Sequence, residues 1–315
     1  MSTHARRRFQ RRPRALTSTV FVALAVLAGC GRRAPAVDPG YRAEIESWRA
    51  ARVAALTAED GWLTVTGLYW LEPGENPFGA APENRVVLPG KGVPPAAGVL
   101  DLRSDGSVIV RPRPGAGVTL DGAPPPERAL RPDRSGRPDI LRIGAVRFYV
   151  IDRAGKLAVR VKDPDNPARA RFEGIRSFPV DPAYRVEGTL EPYTAPREVP
   201  VAATQGPQQK MLAPGLVRFT LAGKALALEP FVSSPNDPTY MFVFRDRTSG
   251  VETYGAGRFL DTPAPQVGSR KVVLDFNKAY SPPCAFTPFA TCPLPPRQNE
   301  LPVRIEAGEK HAAAH

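Results

Sequence analysis

Apolar and polar positions alternate in short runs along most of this chain, and near its start one stretch changes to a helical spacing. Asp38-Pro39 joins a helix N-cap residue to a proline suited to the first turn. Ile45, Trp48 and Leu56 then recur near a helical period up to a stop at Asp60-Gly61. This predicts one amphipathic helix over residues 38–60. From Trp62 to about Asp163 the pattern turns β-like, with runs at Leu63 to Tyr69, Arg85 to Leu88, Gly98 to Leu102, Ser107 to Arg111, Val118 to Leu120, Leu141 to Ile143 and Arg147 to Asp152. Asp105-Gly106 and Asp121-Gly122 have hairpin-turn chemistry. Short strands at this spacing predict a β-sandwich over residues 61–165.

A join reads at Pro167 to Phe172, and a second set of extended runs follows. They lie at Pro182 to Tyr193, Arg197 to Thr204, Leu216 to Leu221, Ala225 to Phe231, Tyr240 to Asp246, Val251 to Phe259 and Lys271 to Phe276. Thr248-Ser249-Gly250 is read as a tight hairpin between Met241 to Arg245 and Glu252 to Phe259. With no helical pattern between them, these runs predict an antiparallel barrel or curled sheet over residues 166–310, with a short tail at 311–315. The fold class expected is mainly β: two β domains with one N-terminal amphipathic helix. Composition agrees, because 37 prolines in 315 residues are hard to place in long helices and 42% hydrophobic residues suffice for a packed core.

Charge changes the picture once its position is considered. The chain has 43 Lys+Arg against 31 Asp+Glu, a formal +12 that would ordinarily point to a polyanion. Arg6, Arg7, Arg8, Arg11, Arg12 and Arg14 crowd the start, and an apolar run from Ala15 to Leu27 follows, too short to span a bilayer but suited to a signal peptide. It ends in Leu27-Ala28-Gly29-Cys30, which resembles the bacterial lipobox. That resemblance implies a signal cleaved after residue 29, acyl chains such as palmitate on Cys30, and a tether over 30–37. Arg6-Arg7-Arg8-Phe9-Gln10-Arg11 is also similar to the twin-arginine export pattern, with Gln10 where leucine is usual, so the route stays open between that and general export. The expected location is the cell envelope, as a membrane-anchored lipoprotein facing the periplasm or exterior. Without residues 1–29 the charge falls to 37 against 31, and no basic run is interleaved with aromatics. The membrane is therefore an expected partner, through the lipid; nucleic acid is not.

Cysteine and histidine usage narrows the chemistry. With Cys30 assigned to lipid, Cys284 and Cys292 remain, and an oxidising compartment makes them a disulfide pair. A metal site would need two more soft ligands, yet the remaining histidines, His311 and His315, fall in the expected frayed tail. No metal and no cofactor are expected. A His-based triad or Cys-His pair is excluded from the body of the chain, leaving carboxylates, Tyr, Lys or Arg for any acid–base work.

The densest chemistry is at the end, Asp275 to Pro296, too rich in proline for regular structure and too aromatic for a linker. A loop closed between Cys284 and Cys292 would hold Phe286 and Phe289 nearly fixed. If Val251 to Phe259 is a strand, Tyr254 and Arg258 share one face with Glu252 and Ala256. Tyr254, Arg258, Asp275, Asn277 and Tyr280 are therefore the ligand-binding candidates. Blander roles stand beside these: Asp246 as a turn cap, Arg258 with Asp275 as a buried ion pair, and the loop as a plug over a sheet end. The function expected first is binding of a small ligand, anions included, in the C-terminal β domain. A His-independent enzyme using Asp246 or Asp275 with Tyr254 or Tyr280 is the alternative, and an envelope structural or assembly factor the third.

Two resemblances add to this. Gly74 to Gly79, Val86 to Leu88 and Ile143 to Phe148 fall in the order of a forkhead-associated-type β-sandwich, but the Gly-Arg and Ser-x-x-His elements that read phosphothreonine have no match. That resemblance implies a fold without its ligand. Gly61 to Leu71, Phe244 to Phe259, Asp275 to Pro296 and Leu301 to Glu309 together closely resemble the bacterial domain of unknown function family 1684, from about Tyr41 to Lys310. Ser281 departs from it, standing where asparagine is expected. The family implies no activity.

Overall fold

The computed structural model describes residues 1–2 and 37–311. The expected signal peptide from residue 3 onward, Cys30, the expected tether up to Ala36 and residues 312–315 lie outside the described residues. Helix α1 spans Pro39–Thr57; the Asp38 carboxylate accepts from Tyr41 N at 2.8 Å and Pro39 sits in the first turn. Ile45 and Leu56 are buried, whereas Trp48 is only half-buried. No helix among the described residues is long and apolar enough to cross a membrane.

The first β half contains β1 (Val65–Trp70), β2 (Gly74–Gly79), β3 (Val86–Val87), β4 (Gly98–Leu102), β5 (Val108–Pro112), β6 (Thr119–Leu120), β7 (Leu141–Ile143), β8 (Val146–Arg153) and β9 (Lys156–Lys162). They form two sheets, ordered β1-β9-β8-β7-β6 and β3-β2-β4-β5, which enclose a core around Phe78, Leu100, Val110, Leu141, Phe148 and Val161. The Phe78 and Phe148 rings meet at 5.3 Å between centroids. Two elements escape the sequence pattern. Gly74–Gly79, absent from the β-like runs, is a strand paired with β4, where buried Asn76 ties the carbonyls of Glu72, Gly74 and Leu100 with its amide and accepts from Glu72 N at 2.9 Å. Strand β9 is buried on both faces: Val159 and Val161 enter the first core, while Ala158 and Arg160 point the other way, toward the second half.

The second half follows the short helix α2 (Pro167–Ala170) and contains β10 (Arg185–Val201), β11 (Gln209–Leu221), β12 (Lys224–Leu228), β13 (Thr239–Phe244), β14 (Arg258–Pro263) and β15 (Lys271–Asp275). The order β12-β11-β10-β15 makes an open, antiparallel sheet, and β13-β14 a separate ribbon; no closed barrel forms among the described residues. The two runs expected at Pro182 to Tyr193 and Arg197 to Thr204 are one long strand, its register shifted between Pro192 and Arg197 where the prolines interrupt pairing. Phe219, Phe242, Phe244, Leu260, Phe276 and Ile305 build its core. A third cluster joins the halves: Phe231, Phe259, Ala290 and Cys292, with Trp62, Tyr280 and Cys284 against them. The C-terminal loop thus lies over the outer face of the first half, where Thr291 Oγ1 accepts from Arg153 Nε at 2.9 Å and Thr287 Oγ1 donates to Val65 O at 3.3 Å.

Candidate functional site

The five candidates from the sequence do not meet in one site: Asp275 and Asn277 share a network, and Tyr254, Arg258 and Tyr280 each bond elsewhere. Residues 251–257 are a compact turn rather than a strand, because Thr248 O accepts the amides of Val251, Glu252 and Thr253, and Thr248 Oγ1 bonds both Asp246 Oδ1 (2.6 Å) and Thr253 Oγ1 (3.0 Å). Strand β14 begins only at Arg258, which pairs with Phe244. Tyr254 and Arg258 are therefore not co-facial. Arg258 is sealed inside, 0% exposed, donating to Asp246 Oδ2 at 2.7 Å and to the carbonyls of Ile305 (3.0 Å) and Ala307. Its ion-pair partner is Asp246, not Asp275. Burial pulls its pKa down, and the Asp246 charge opposes that. Asp246 also caps its own turn, accepting from Thr248 N at 2.7 Å.

Asp275 and Asn277 instead bolt helix α1 to the second core. Tyr41 Oη donates to Asp275 Oδ1 at 2.8 Å; Asn277 Nδ2 donates to Tyr41 Oη (3.0 Å) and Asp181 O (2.8 Å), and its Oδ1 accepts from Asp181 N (3.0 Å). Burial first, and the Asp275 carboxylate second, hold the Tyr41 phenol well above its usual range. Tyr280 Oη donates to Asp261 Oδ2 at 2.7 Å beneath the Arg52 guanidinium, 4.7 Å from the ring centroid. Tyr254 Oη donates to Cys284 O at 2.9 Å. No hydrogen bond joins Asp246 or Asp275 to Tyr254 or Tyr280 among the described residues, so the carboxylate–tyrosine pairs named above do not form. Cys284 and Cys292 are free thiols in this structure and lie side by side, with Cys284 N donating to Cys292 Sγ at 3.2 Å.

One cavity gathers side chains that the sequence reading kept apart: Phe172 in the join, Phe286 in the C-terminal loop and His311 in the tail. A cavity of about 540 Å³ is lined by Phe172, Glu173, Gly174, Ile175, Arg176, Phe286, Lys310 and His311. Its walls are brought together by pairing of segment 176–178 with 308–310: Lys310 N donates to Arg176 O (2.8 Å) and Phe178 N to Gly308 O (2.9 Å). That pairing sets Arg176, Lys310 and His311 on one side. Phe172 meets Phe286 edge-on at 6.2 Å, and the Phe286 backbone is fixed by a bond from its amide to Pro283 O at 3.0 Å. His311 is tied rather than frayed: its amide donates to Glu252 O at 2.9 Å and its imidazole packs edge-on against Tyr254 at 5.0 Å. Burial, and the Arg176 charge after it, lower its pKa below the ordinary 6.5, which keeps the imidazole neutral at pH 7.

Arg176 is exposed and pairs with no carboxylate among the described residues, while Lys310 Nζ lies 4.2 Å over the Phe178 ring and 3.6 Å from Glu252 Oε1. An aromatic wall beside a free guanidinium, an ammonium and a neutral imidazole is suited to an anionic head on an apolar body. Glu173 on the rim sets a limit on how much negative charge the cavity accepts.

A family model described as a protein of unknown function (DUF1684) matches residues 170–310, which include every cavity residue except His311. A search of curated proteins returns no match. Among solved structures, the solution NMR structure of the uncharacterized protein from gene locus rrnAC0354 of Haloarcula marismortui is 33% identical. The match covers 47% of this chain and 81% of that one, with a TM-score of 0.41.

Proposed function

Because this chain carries a DUF1684 domain over residues 170–310, in a family described only as of unknown function, we propose its role from the cavity: it binds a small anion with an aromatic or other apolar body. The observation that carries this is Arg176, a cation without an acidic partner at the mouth of a cavity walled by Phe172 and Phe286. The ligand's head lies against Arg176 and Lys310, and its body lies along the wall that the Phe172 and Phe286 rings form together. No bond is made or broken in this reading. The test is calorimetric titration with phenyl phosphate and with inorganic phosphate. Saturable binding of phenyl phosphate is expected, weakened about tenfold or more by Arg176→Ala, consistent with loss of a charge-assisted hydrogen bond of roughly 1.5–3 kcal/mol. Phe286→Ala removes the preference for the aromatic anion. Equal affinity in the wild type and Arg176→Ala, or no binding at all, sinks the proposal.

The protein does this at a membrane surface in our reading, anchored through acyl chains on Cys30 after removal of residues 1–29. Support comes from the six clustered arginines, the short apolar run and Leu27-Ala28-Gly29-Cys30 in register. Cells fed an alkyne analogue of palmitate are expected to label the wild-type chain and not Cys30→Ser. Labelling that survives the substitution refutes the anchor. The sandwich of the first half keeps its resemblance to a forkhead-associated domain as a proposal about ancestry of fold alone, with no phosphopeptide assigned to it.

A further inference from the structure

Cys284 and Cys292 are the reactive side chains that the proposed cavity does not use. Cys292 is buried and Cys284 half-buried, both within the cluster that joins the two halves. Thr204, just past the end of β10, holds Cys292 firmly: the Cys292 amide donates to Thr204 Oγ1 at 3.1 Å and its carbonyl accepts from Thr204 N at 2.9 Å. The Cys284 amide points at Cys292 Sγ from 3.2 Å, so one sulfur already receives a hydrogen bond that favours its anion.

An independent observation comes from β9. Arg160 is 4% exposed, its guanidinium lies on the face of Trp62 at 4.9 Å, and its Nε and Nη2 have no hydrogen-bond partner. No carboxylate pairs with it among the described residues. A buried guanidinium without a counter-charge is strongly unfavourable, so a site that keeps one implies an anion nearby in some state of the protein. Trp62, on which Arg160 lies, belongs to the same cluster as both thiols, and the Arg160 charge acts on Cys292 in the direction that favours thiolate. The pair shares its proton unequally: the bond from the Cys292 thiol lowers the pKa of Cys284, and together with burial raises that of Cys292. Cys284 is thus the more exposed and the more acidic of the two.

We propose that Cys284 and Cys292 form a redox-active dithiol that undergoes exchange with an external disulfide, Arg160 matching the charge that forms on Cys292 in the second step. The Cys284 thiolate attacks one sulfur of the external disulfide; that S–S bond breaks, one thiolate leaves, and a mixed disulfide forms on Cys284. Cys292 gives up its proton to solvent and attacks the Cys284 sulfur, forming the Cys284–Cys292 bond and releasing the second thiolate. The protein loses two electrons and the external disulfide gains them. Its oxidant is of the class of oxidised glutathione or an envelope thiol–disulfide oxidoreductase, and the reverse run reduces a disulfide partner.

The test uses the full chain with Cys30→Ser, so that only this pair reacts, and oxidised glutathione as the probe. Intact mass is expected to fall by two hydrogens with no glutathione retained, and reduced glutathione restores it without unfolding the chain. Cys292→Ser traps glutathione on Cys284, whereas Cys284→Ser traps far less. Arg160→Leu slows release of glutathione from the mixed disulfide on Cys284, the step in which Cys292 attacks, about tenfold or more, read on chains whose circular dichroism matches the parent. Should Arg160→Leu fail to fold, the trapping asymmetry between the two serine variants decides alone. Thiols that react no faster than in urea, trapping without asymmetry, or a disulfide that glutathione cannot reopen in the folded chain each overturn the proposal; the last would make it a fixed structural bridge.

Discussion

Replacing Arg258 with methionine is expected to destabilise the folded chain by about 3–5 kcal/mol, the cost of breaking a fully buried ion pair. Arg258 and Asp246 show 0% side-chain exposure, and nothing replaces the guanidinium once it is gone. The Asp246 carboxylate would keep its bonds from Thr248 but lose its counter-charge, and the carbonyls of Ile305 and Ala307 would lose their donor in a site closed to water. Methionine fills much of the volume, so the loss reports the charge and its hydrogen bonds rather than a cavity. Urea unfolding should show a lower midpoint with an unchanged slope. A loss below about 1 kcal/mol means that water reaches the pair, which the burial of Arg258 denies. The double replacement with Asp246→Leu is not expected to recover the loss, since Asp246 also holds Thr248 and the Ile305 amide.

That residue marks the boundary of what the sequence made legible. Helix α1 is readable because its cap, its first-turn proline and its apolar spacing are all local, and the structure places it within a few residues of expectation. Gly98–Leu102 and Leu141–Ile143 are readable for the same reason, as isolated β-rich runs between turns. Residues 251–257 were not, because the alternation there mimics a strand while the deciding contacts run from Thr248 and Asp246, side chains that prefer turns only when their partners close. Arg258 reads from the sequence as a ligand-binding candidate or as half of a buried ion pair with Asp275, and the partner it takes is Asp246. Its burial depends on Asp246 and on two carbonyls almost fifty residues later, a meeting that no local pattern encodes. The cavity is a stronger instance: Arg176, Phe286 and His311 meet only because segment 176–178 pairs with 308–310. Nearness to the chain end made His311 read as part of a frayed tail, and nothing local to it announces the pairing that ties it down.

The same C-terminal pairing carries the second large effect. Arg52 of α1 donates from Nε to Glu309 Oε1 at 3.1 Å and from Nη2 to Ser281 O at 2.7 Å, while Ser281 N donates to Glu309 Oε2 at 2.7 Å. The guanidinium also covers Tyr280 and lies 5.6 Å from the Phe286 centroid, so it locks the helix to both walls of the loop that ends at the cavity. Burial raises the Glu309 pKa above 4.5, and Arg52 opposes that rise. The sign follows directly: a carboxyl that binds its proton more tightly when folded stabilises the fold below about pH 4.5 and withdraws that stability as pH rises through its folded pKa. Arg52→Met removes the opposing charge and moves that folded pKa further up. The variant is therefore expected to lose about 2–3 kcal/mol at pH 8, less than a sealed pair because Arg52 is partly exposed, and distinctly less at pH 5, where the orphaned carboxyl takes up a proton. Urea unfolding of wild type and variant at both pH values measures the gap, and other titrating groups cancel in the difference. A gap that is constant with pH would show that Arg52 acts through packing alone and that Glu309 is solvated. A gap that widens with pH makes the Arg52–Glu309 pair the electrostatic clasp on which the geometry of Phe286, Lys310 and His311 depends, and phenyl phosphate binding should weaken in step with it.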